Sequence, residues 1–174
     1  MITPEEETRY AELQQMALDA ARTGDDAVLA PMLEAGMPVN LADEKGNSLL
    51  MLASYHGNLE TSRLLLRAGA SPDQRNARNQ TPLAGVAFKG GLEIAKLLVE
   101  HGADPNADQG GGRFPIHFAA LFGHREMVEY LETVSPLPKT ARLRLLARVT
   151  STIRSLFRTA DVHVGPTPHR SHSS

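Results

Sequence analysis

The sequence predicts an all-α solenoid, built by stacking four copies of one helix-turn-helix unit. Three observations carry this. The stretch Asn76 to Asp108 recurs on both sides at a spacing of 33 residues, so that Gly57, Gly90 and Gly123 fall in register, as do Glu60, Glu93 and Glu126, and Leu65, Leu98 and Leu131. The apolar residues inside each copy follow helical spacing, as in Leu92, Ile94, Ala95, Leu97 and Leu98. Glycine, asparagine and proline cluster at the same places in each copy, where turns belong. A fixed period of this length marks units that cannot bury an apolar face alone and do so against their neighbours.

The first copy is degenerate and covers about residues 10–42. Counting back by 33 from Gly57 and Gly69 reaches Gly24 and Gly36. Thr3-Pro4-Glu5-Glu6 is a helix start, with a capping threonine, proline in the first turn and glutamate three residues after the cap. This helix is expected to run to about Arg22 with Leu13, Met16, Ala17, Ala20 and Ala21 on its apolar face. Its many glutamates and glutamines give the polar exterior a terminal unit needs. A second helix follows over about residues 25–34 and ends at Gly36. Copies at 43–75, 76–108 and 109–135 then each read as turn, short helix, tight loop and longer helix. Pro82 and Pro115 stand at first-helix positions where no N–H is needed. Gly46 and Asn79 occupy turn positions that call for left-handed backbone. The connections read as short β-turns, not as strands of a sheet.

Thr81-Pro82-Leu83, the run Gly90-x-Leu92-Glu93-Ile94-Ala95-Lys96-Leu97-Leu98-Val99-Glu100-His101-Gly102-Ala103-Asp104 and their counterparts one period away resemble the ankyrin repeat family. The resemblance covers about residues 10–133. It implies a protein–protein interaction module without catalysis of its own. It also implies that the residue pair before each loop glycine and the turn residues line a concave face. Those positions are Arg22 with Thr23, Tyr55 with His56, Phe88 with Lys89, and Leu121 with Phe122, together with Glu44, Lys45, Asn47, Ala77, Arg78, Gln80 and Arg113. Aromatic and arginine side chains on such a surface are the usual makings of hot spots. A plainer reading has Tyr55 and Phe88 packing between neighbouring first helices, and partial burial satisfies both. The family's Thr-Pro-Leu-His motif is whole in no copy: Ala84 replaces its histidine, Phe114 its threonine, and the second copy reads Ser48-Leu49-Leu50-Met51. Its hydrogen-bond network is therefore expected to be weakened, with modest stability.

After the fourth copy, Ser135-Pro136-Leu137-Pro138 stops the pattern. Residues 139–159 predict a basic amphipathic helix, with Leu143, Leu146, Val149, Ile153, Leu156 and Phe157 on one side and Arg144, Arg148, Arg154 and Arg158 on the other. Two roles are open to it. The favoured one is docking as a cap on the fourth copy, and the other is lying on an anionic membrane surface. Residues 160–174 read as a disordered tail.

Composition removes several classes of function. Among 174 residues there is no cysteine, hence no disulfide framework and no thiolate chemistry, and a cytoplasmic protein fits best. The acidic start MITPEEETRY is no secretory signal, and no run approaches the ~20 apolar residues of a membrane span. Residues 1–135 hold 11 Lys/Arg against 19 Asp/Glu, whereas residues 136–174 hold 7 against one acid. An acidic repeat body argues against a nucleic-acid surface.

No enzyme can be assembled from what remains. Gly110-Gly111-Gly112 lacks the following lysine and the preceding strand of a phosphate cradle. His56, His117 and His124 occupy different places in the repeat and do not form a metal site, while His163, His169 and His172 offer weak adventitious metal binding at most. Paired carboxylates such as Asp25-Asp26 and Asp43-Glu44 stand at helix starts and turns. The expectation is a monomer that binds another protein, with no cofactor and no metal.

Overall fold

The computed structural model describes residues 3–135, which form eight helices and no strand. The helices come in pairs: α1 (Pro4–Thr23) with α2 (Asp26–Glu34), α3 (Leu49–Tyr55) with α4 (Leu59–Arg67), α5 (Pro82–Lys89) with α6 (Leu92–Glu100), and α7 (Pro115–Leu121) with α8 (Arg125–Val134). The first members pack on one another in the order α1, α3, α5, α7 to make an inner layer, and α2, α4, α6 and α8 make the outer one. The segments for which the sequence predicts a basic helix (139–159) and a tail (160–174) lie outside the described residues, as does the question of what caps the fourth repeat.

The 33-residue register translates directly into the core. Ala17, Leu50, Leu83 and Ile116 occupy one position in successive repeats and are all buried, as are Ala20, Ala53, Val86 and Ala119 in the next turn, and Leu65, Leu98 and Leu131 in the outer layer. Each large aliphatic side chain so buried contributes about 1.5–3 kcal/mol. In α4 the buried stripe differs from the aliphatic one expected. Leu59 and Leu64 are only half-buried, while Thr61 and Ser62 are enclosed. Their hydroxyls are satisfied, Thr61 by donating to Asp26 Oδ1 (2.6 Å) across the α2–α4 interface and Ser62 by donating to the Asn58 carbonyl (2.8 Å).

One expectation for α1 fails. Leu13 and Met16 are exposed, and Leu18 joins Ala17, Ala20 and Ala21 in the core instead. Position 16 matches Leu49, the first residue of α3, so residues 4–15 project ahead of the stack, where among the described residues no neighbouring inner helix lies. Periodicity located the apolar face, but no described helix covers this part of it. Within α2, Pro31 removes one backbone donor.

The helix starts are capped despite the broken motif. Thr3 and Glu6 form a reciprocal capping box, Ser48 Oγ accepts from Met51 N (3.1 Å), and Thr81 Oγ1 accepts from Ala84 N (3.4 Å). Phe114 cannot cap, and its own N–H instead donates to His117 Nδ1 (3.0 Å), which is therefore the unprotonated ring nitrogen.

Between repeats, each connection closes as a tight hairpin, here called a finger: Asp43 N donates to Asn47 O, Asn76 N to Gln80 O, and Gln109 N to Arg113 O. A β-bridge, Ala42 with Ser48, sits at the base of the first finger. Gly46 sits where a side chain is crowded as well as strained. Its φ is +75° and a Cβ there would lie 3.0 Å from the Ala77 amide nitrogen, which donates to the Lys45 carbonyl and so ties the first finger to the second.

Candidate functional site

A groove of about 830 Å³ runs along the inner layer beside the fingers, through repeats two, three and four. Its floor is aromatic. Tyr55, the last residue of α3, and Phe88, the last but one of α5, share one repeat position, and their rings stack with centroids 6.4 Å apart and planes within 18°. Phe122 follows α7 by one residue and reaches back to meet Phe88 edge-on at 4.3 Å. These rings are not core. Tyr55 keeps 38% of its surface exposed, Phe88 36%, Phe122 49% and neighbouring Leu121 62%. The two sequence readings of Tyr55 and Phe88 therefore both describe part of the geometry: the rings touch across repeats and still face solvent.

Gly85 makes this stacking fit. It lies one turn before Phe88 on α5, and a Cβ there would press on Tyr55 Cδ2 at 3.3 Å. The residues in register with it, Leu52 and Phe118, carry full side chains that line the groove on either side. Lys89 Nζ lies 5.3 Å from the centroid of the Tyr55 ring, within cation–π range. His56 packs edge-on against Tyr55 and donates from Nδ1 to the Leu52 carbonyl (2.8 Å), since a carbonyl can only accept.

The fingers form the other wall. In the first, Asp43 Oδ1 accepts from the amides of Lys45 and Asn47, and Asp43 Oδ2 from Asn47 Nδ2 and Arg22. Burial alone would raise the Asp43 carboxyl, but the Asn47 side chain and amide, the Lys45 amide and the Arg22 charge together outweigh it and hold the pKa below the usual value. Asn76 plays the same part in the second finger, accepting from Arg78 N and Gln80 N and donating to Asn47 Oδ1. In the third finger the role shifts back one residue: Asp108 Oδ1 accepts from the amides of Gly110, Gly112 and Arg113. Gln109, which stands in register with Asp43 and Asn76, turns inward. Its Oε1 accepts from Thr81 N (2.8 Å) and its Nε2 donates to Ala107 O (2.6 Å).

Of the residues the sequence singles out, Glu44, Lys45, Asn47, Tyr55, His56, Arg78, Gln80, Phe88, Leu121 and Phe122 come together around this groove. Arg22, Lys89 and Arg113 do not line it. Arg22 is engaged with Asp19 (2.6 Å) and Asp43 (3.4 Å), Lys89 stands at the border over Tyr55, and Arg113 folds its Nε onto the Gly110 carbonyl (2.8 Å). Met51, Ala84, Gly85 and Phe118 line the groove without having been singled out. They sit within one turn of the named positions, so the helical register was the signal for them. The groove offers a ring-lined floor, amide-rich fingers and positive charge. Among the described residues no cluster of three His, Cys, Asp or Glu side chains gathers as a metal site, and no helix is long and apolar enough to cross a membrane.

A family model described as ankyrin repeats in three copies matches residues 17–109 and 50–135, which together take in all the pairs from α2 to α8 and most of the inner half of α1. The chain belongs to the ankyrin repeat family. It is 46% identical over 61 residues to an ankyrin repeat protein of Pseudomonas aeruginosa, a match covering 35% of this chain and 36% of that protein. It is 43% identical over 65 residues to an ankyrin repeat-containing protein of Treponema pallidum, covering 37% of this chain and 22% of the relative. A third relative, the human oxysterol-binding protein-related protein 1, is 35% identical over 85 residues, 48% of this chain but 9% of that protein. The chain thus spans little more than a third of the first of these relatives and less of the others. Ankyrin repeats are protein-interaction modules, and the fold is a non-catalytic one.

Proposed function

We propose that this ankyrin repeat chain holds a partner protein in the inner groove, with Tyr55, Phe88, Leu121 and Phe122 as the apolar anchors. The observation that carries this is the exposed run of rings across three repeats. Four large apolar side chains on one face, each more than a third exposed, have no structural need to face water. A rigid aromatic floor loses little entropy when a partner covers it, which is where hot spots form. The polar rim, Glu44, Lys45, Asn47, Arg78 and Gln80, sets orientation.

The test is affinity capture from the native cell with the full chain, followed by measured binding of the captured partner to a Tyr55→Ala/Phe88→Ala variant. The expected loss is about 2 kcal/mol or more, roughly thirtyfold in Kd, with an unchanged far-ultraviolet circular dichroism spectrum. Unaltered affinity per folded molecule would place the site elsewhere.

The membrane-surface reading rests on the charge of residues 136–174, where 7 Lys/Arg face a single acid. Anionic lipid attracts such segments by about 1 kcal/mol per basic residue near the surface. This alternative reading is tested on residues 136–174 and apart from the groove.

A further inference from the structure

Charge is distributed unevenly between the groove and the rest of the repeat body. Residues 1–135 are strongly acidic, yet their acids gather elsewhere: Glu5, Glu6, Glu7 and Glu12 on the projecting end of α1, and Glu60, Glu93, Glu126 and Glu129 among those on the outer helices. At the groove the balance reverses. Lys45 and Arg78 occupy the same finger position in repeats two and three, and Lys89 stands over Tyr55. None of the three has an ion-pair partner among the described residues, and all are exposed. The acids nearby are Asp43, already saturated by finger amides and Arg22, and Glu44. The groove also changes character along its length. In repeat four the position of Lys45 and Arg78 is Gly111, and the position of His56 and Lys89 is Phe122, next to exposed Leu121. Its repeat-two and repeat-three stretch therefore carries Lys45 and Arg78 in its lining and Lys89 at its border against one lining acid, Glu44, and its repeat-four end is apolar.

We propose that the groove takes an extended acidic segment of a partner protein, with carboxylates set against Lys45, Arg78 and Lys89 and large apolar side chains set against Leu121 and Phe122. The proposal rests on the groove being the partner site and adds the partner's chemistry. Opposite charge here supplies orientation and association rate, while the apolar end supplies most of the affinity. A protein segment fits better than a nucleic acid, because a phosphate chain lying beyond two or three cations would meet the field of an acidic body. It also fits better than a small solute, because the features extend across three repeats in an open groove.

The experiment is selection of a random dodecapeptide library on the full chain, with the Phe88→Ala chain as the subtractive bait. One enriched peptide is then synthesised with a fluorescent label and its anisotropy titrated. Enriched sequences are expected to carry Asp and Glu in one half and Leu or Phe in the other. Affinity should fall at least about tenfold between about 50 and 300 mM salt, and at least about tenfold in a Lys45→Glu/Arg78→Glu variant of unchanged circular dichroism. A peptide with its acids changed to lysine should bind that variant better than it binds the parent chain. Neutral or basic enriched sequences, affinity indifferent to salt, or full binding by the double variant would each overturn the acidic assignment. If Phe88→Ala abolishes binding in those cases, the groove stands as the site and only its charge preference falls. If Phe88→Ala binds as well as the parent, or the selection enriches nothing over it, both readings fall. Displacement of the peptide by an equal concentration of oligothymidylate would hand the groove to nucleic acid.

Discussion

Replacing Gly90 and Gly57 by alanine separates two costs that usually arrive together. Both glycines end an inner helix in left-handed backbone, at φ +78° and +84°. Alanine is strained there by about 1–2 kcal/mol wherever it is placed. Their surroundings differ. At Gly57 nothing lies within 4 Å of where a Cβ would stand, whereas at Gly90 it would lie 2.5 Å from His124 Nδ1 and 2.8 Å from His124 Cε1. That ring cannot simply slide, because its Nε2–H donates to the Phe88 carbonyl at 2.8 Å. Gly90→Ala must therefore expel the imidazole and lose a hydrogen bond of about 1 kcal/mol in addition to the backbone strain. The expected destabilisation is about 1–2 kcal/mol for Gly57→Ala and about 2–3 kcal/mol for Gly90→Ala. Urea unfolding by circular dichroism at one pH measures both, with the slope against denaturant unchanged. In a His124→Ala background the gap between the two should close, since the ring is gone. Equal costs in the parent, or a gap that survives removal of His124, would refute the argument.

Other expectations follow from the same geometry. Gly85→Ala exchanges a helix-interior glycine for the best helix former, worth about 1 kcal/mol, against a displaced Tyr55 ring; stability should change little while the stacking of Tyr55 on Phe88 loosens, read as altered ring shifts by nuclear magnetic resonance. The lowered pKa of Asp43 means that its stabilisation is complete above the unfolded carboxylate pKa and is lost as pH falls through the lower folded value. Asp43→Asn should therefore cost about 1 kcal/mol at neutral pH and flatten the acid limb of a stability–pH curve, and an unchanged limb would remove Asp43 from that role. Changing Arg144, Arg148, Arg154 and Arg158 together to glutamate in the full chain should abolish co-sedimentation with anionic vesicles if the basic segment meets lipid. An equal pellet for parent and variant, or none for either, would discard the membrane reading.

The architecture was legible because it repeats. A leucine seen three times at one spacing, as at 65, 98 and 131, needs no knowledge of its neighbours to be assigned to the core. The place of Tyr55 and Phe88 on the inner layer followed from register and family resemblance together, while their degree of exposure stayed open between two readings. What escaped the sequence were the places where one copy departs from the others and a distant residue compensates. Gln109 reads as a turn residue, and only the folded chain shows its amide feeding Thr81, 28 residues earlier. Asp108 then inherits the finger-closing role, which no periodic argument assigns to it. Gly85 carries no signal in the periodic pattern, and only the folded chain shows that the space above it is taken by a ring from the preceding repeat. His124 reads in the sequence as one of three scattered histidines. Its signal was available, since it stands two periods after Asn58, whose Nδ2 reaches back to the carbonyls of Ala21 and Arg22 in the same manner. Leu13 and Met16 were misplaced because periodicity reports which face of a helix is apolar, and says nothing about whether another helix lies opposite.

The position shared by Asn58 and His124 is held in between by Gly91, which has no side chain to reach back with. Asn58 pins the loop of repeat one and His124 the loop of repeat three, while the loop ending at Gly57 receives no such pin. At that junction the fingers are still fastened, through Ala77 N to the Lys45 carbonyl and Asn76 to Asn47. The junction between the second and third units is therefore fastened by polar contacts on its finger side, while near its loop side the tie is the ring contact of Tyr55 with Phe88. A molecule gripping both rings would brace the one junction that has no polar pin at its loop.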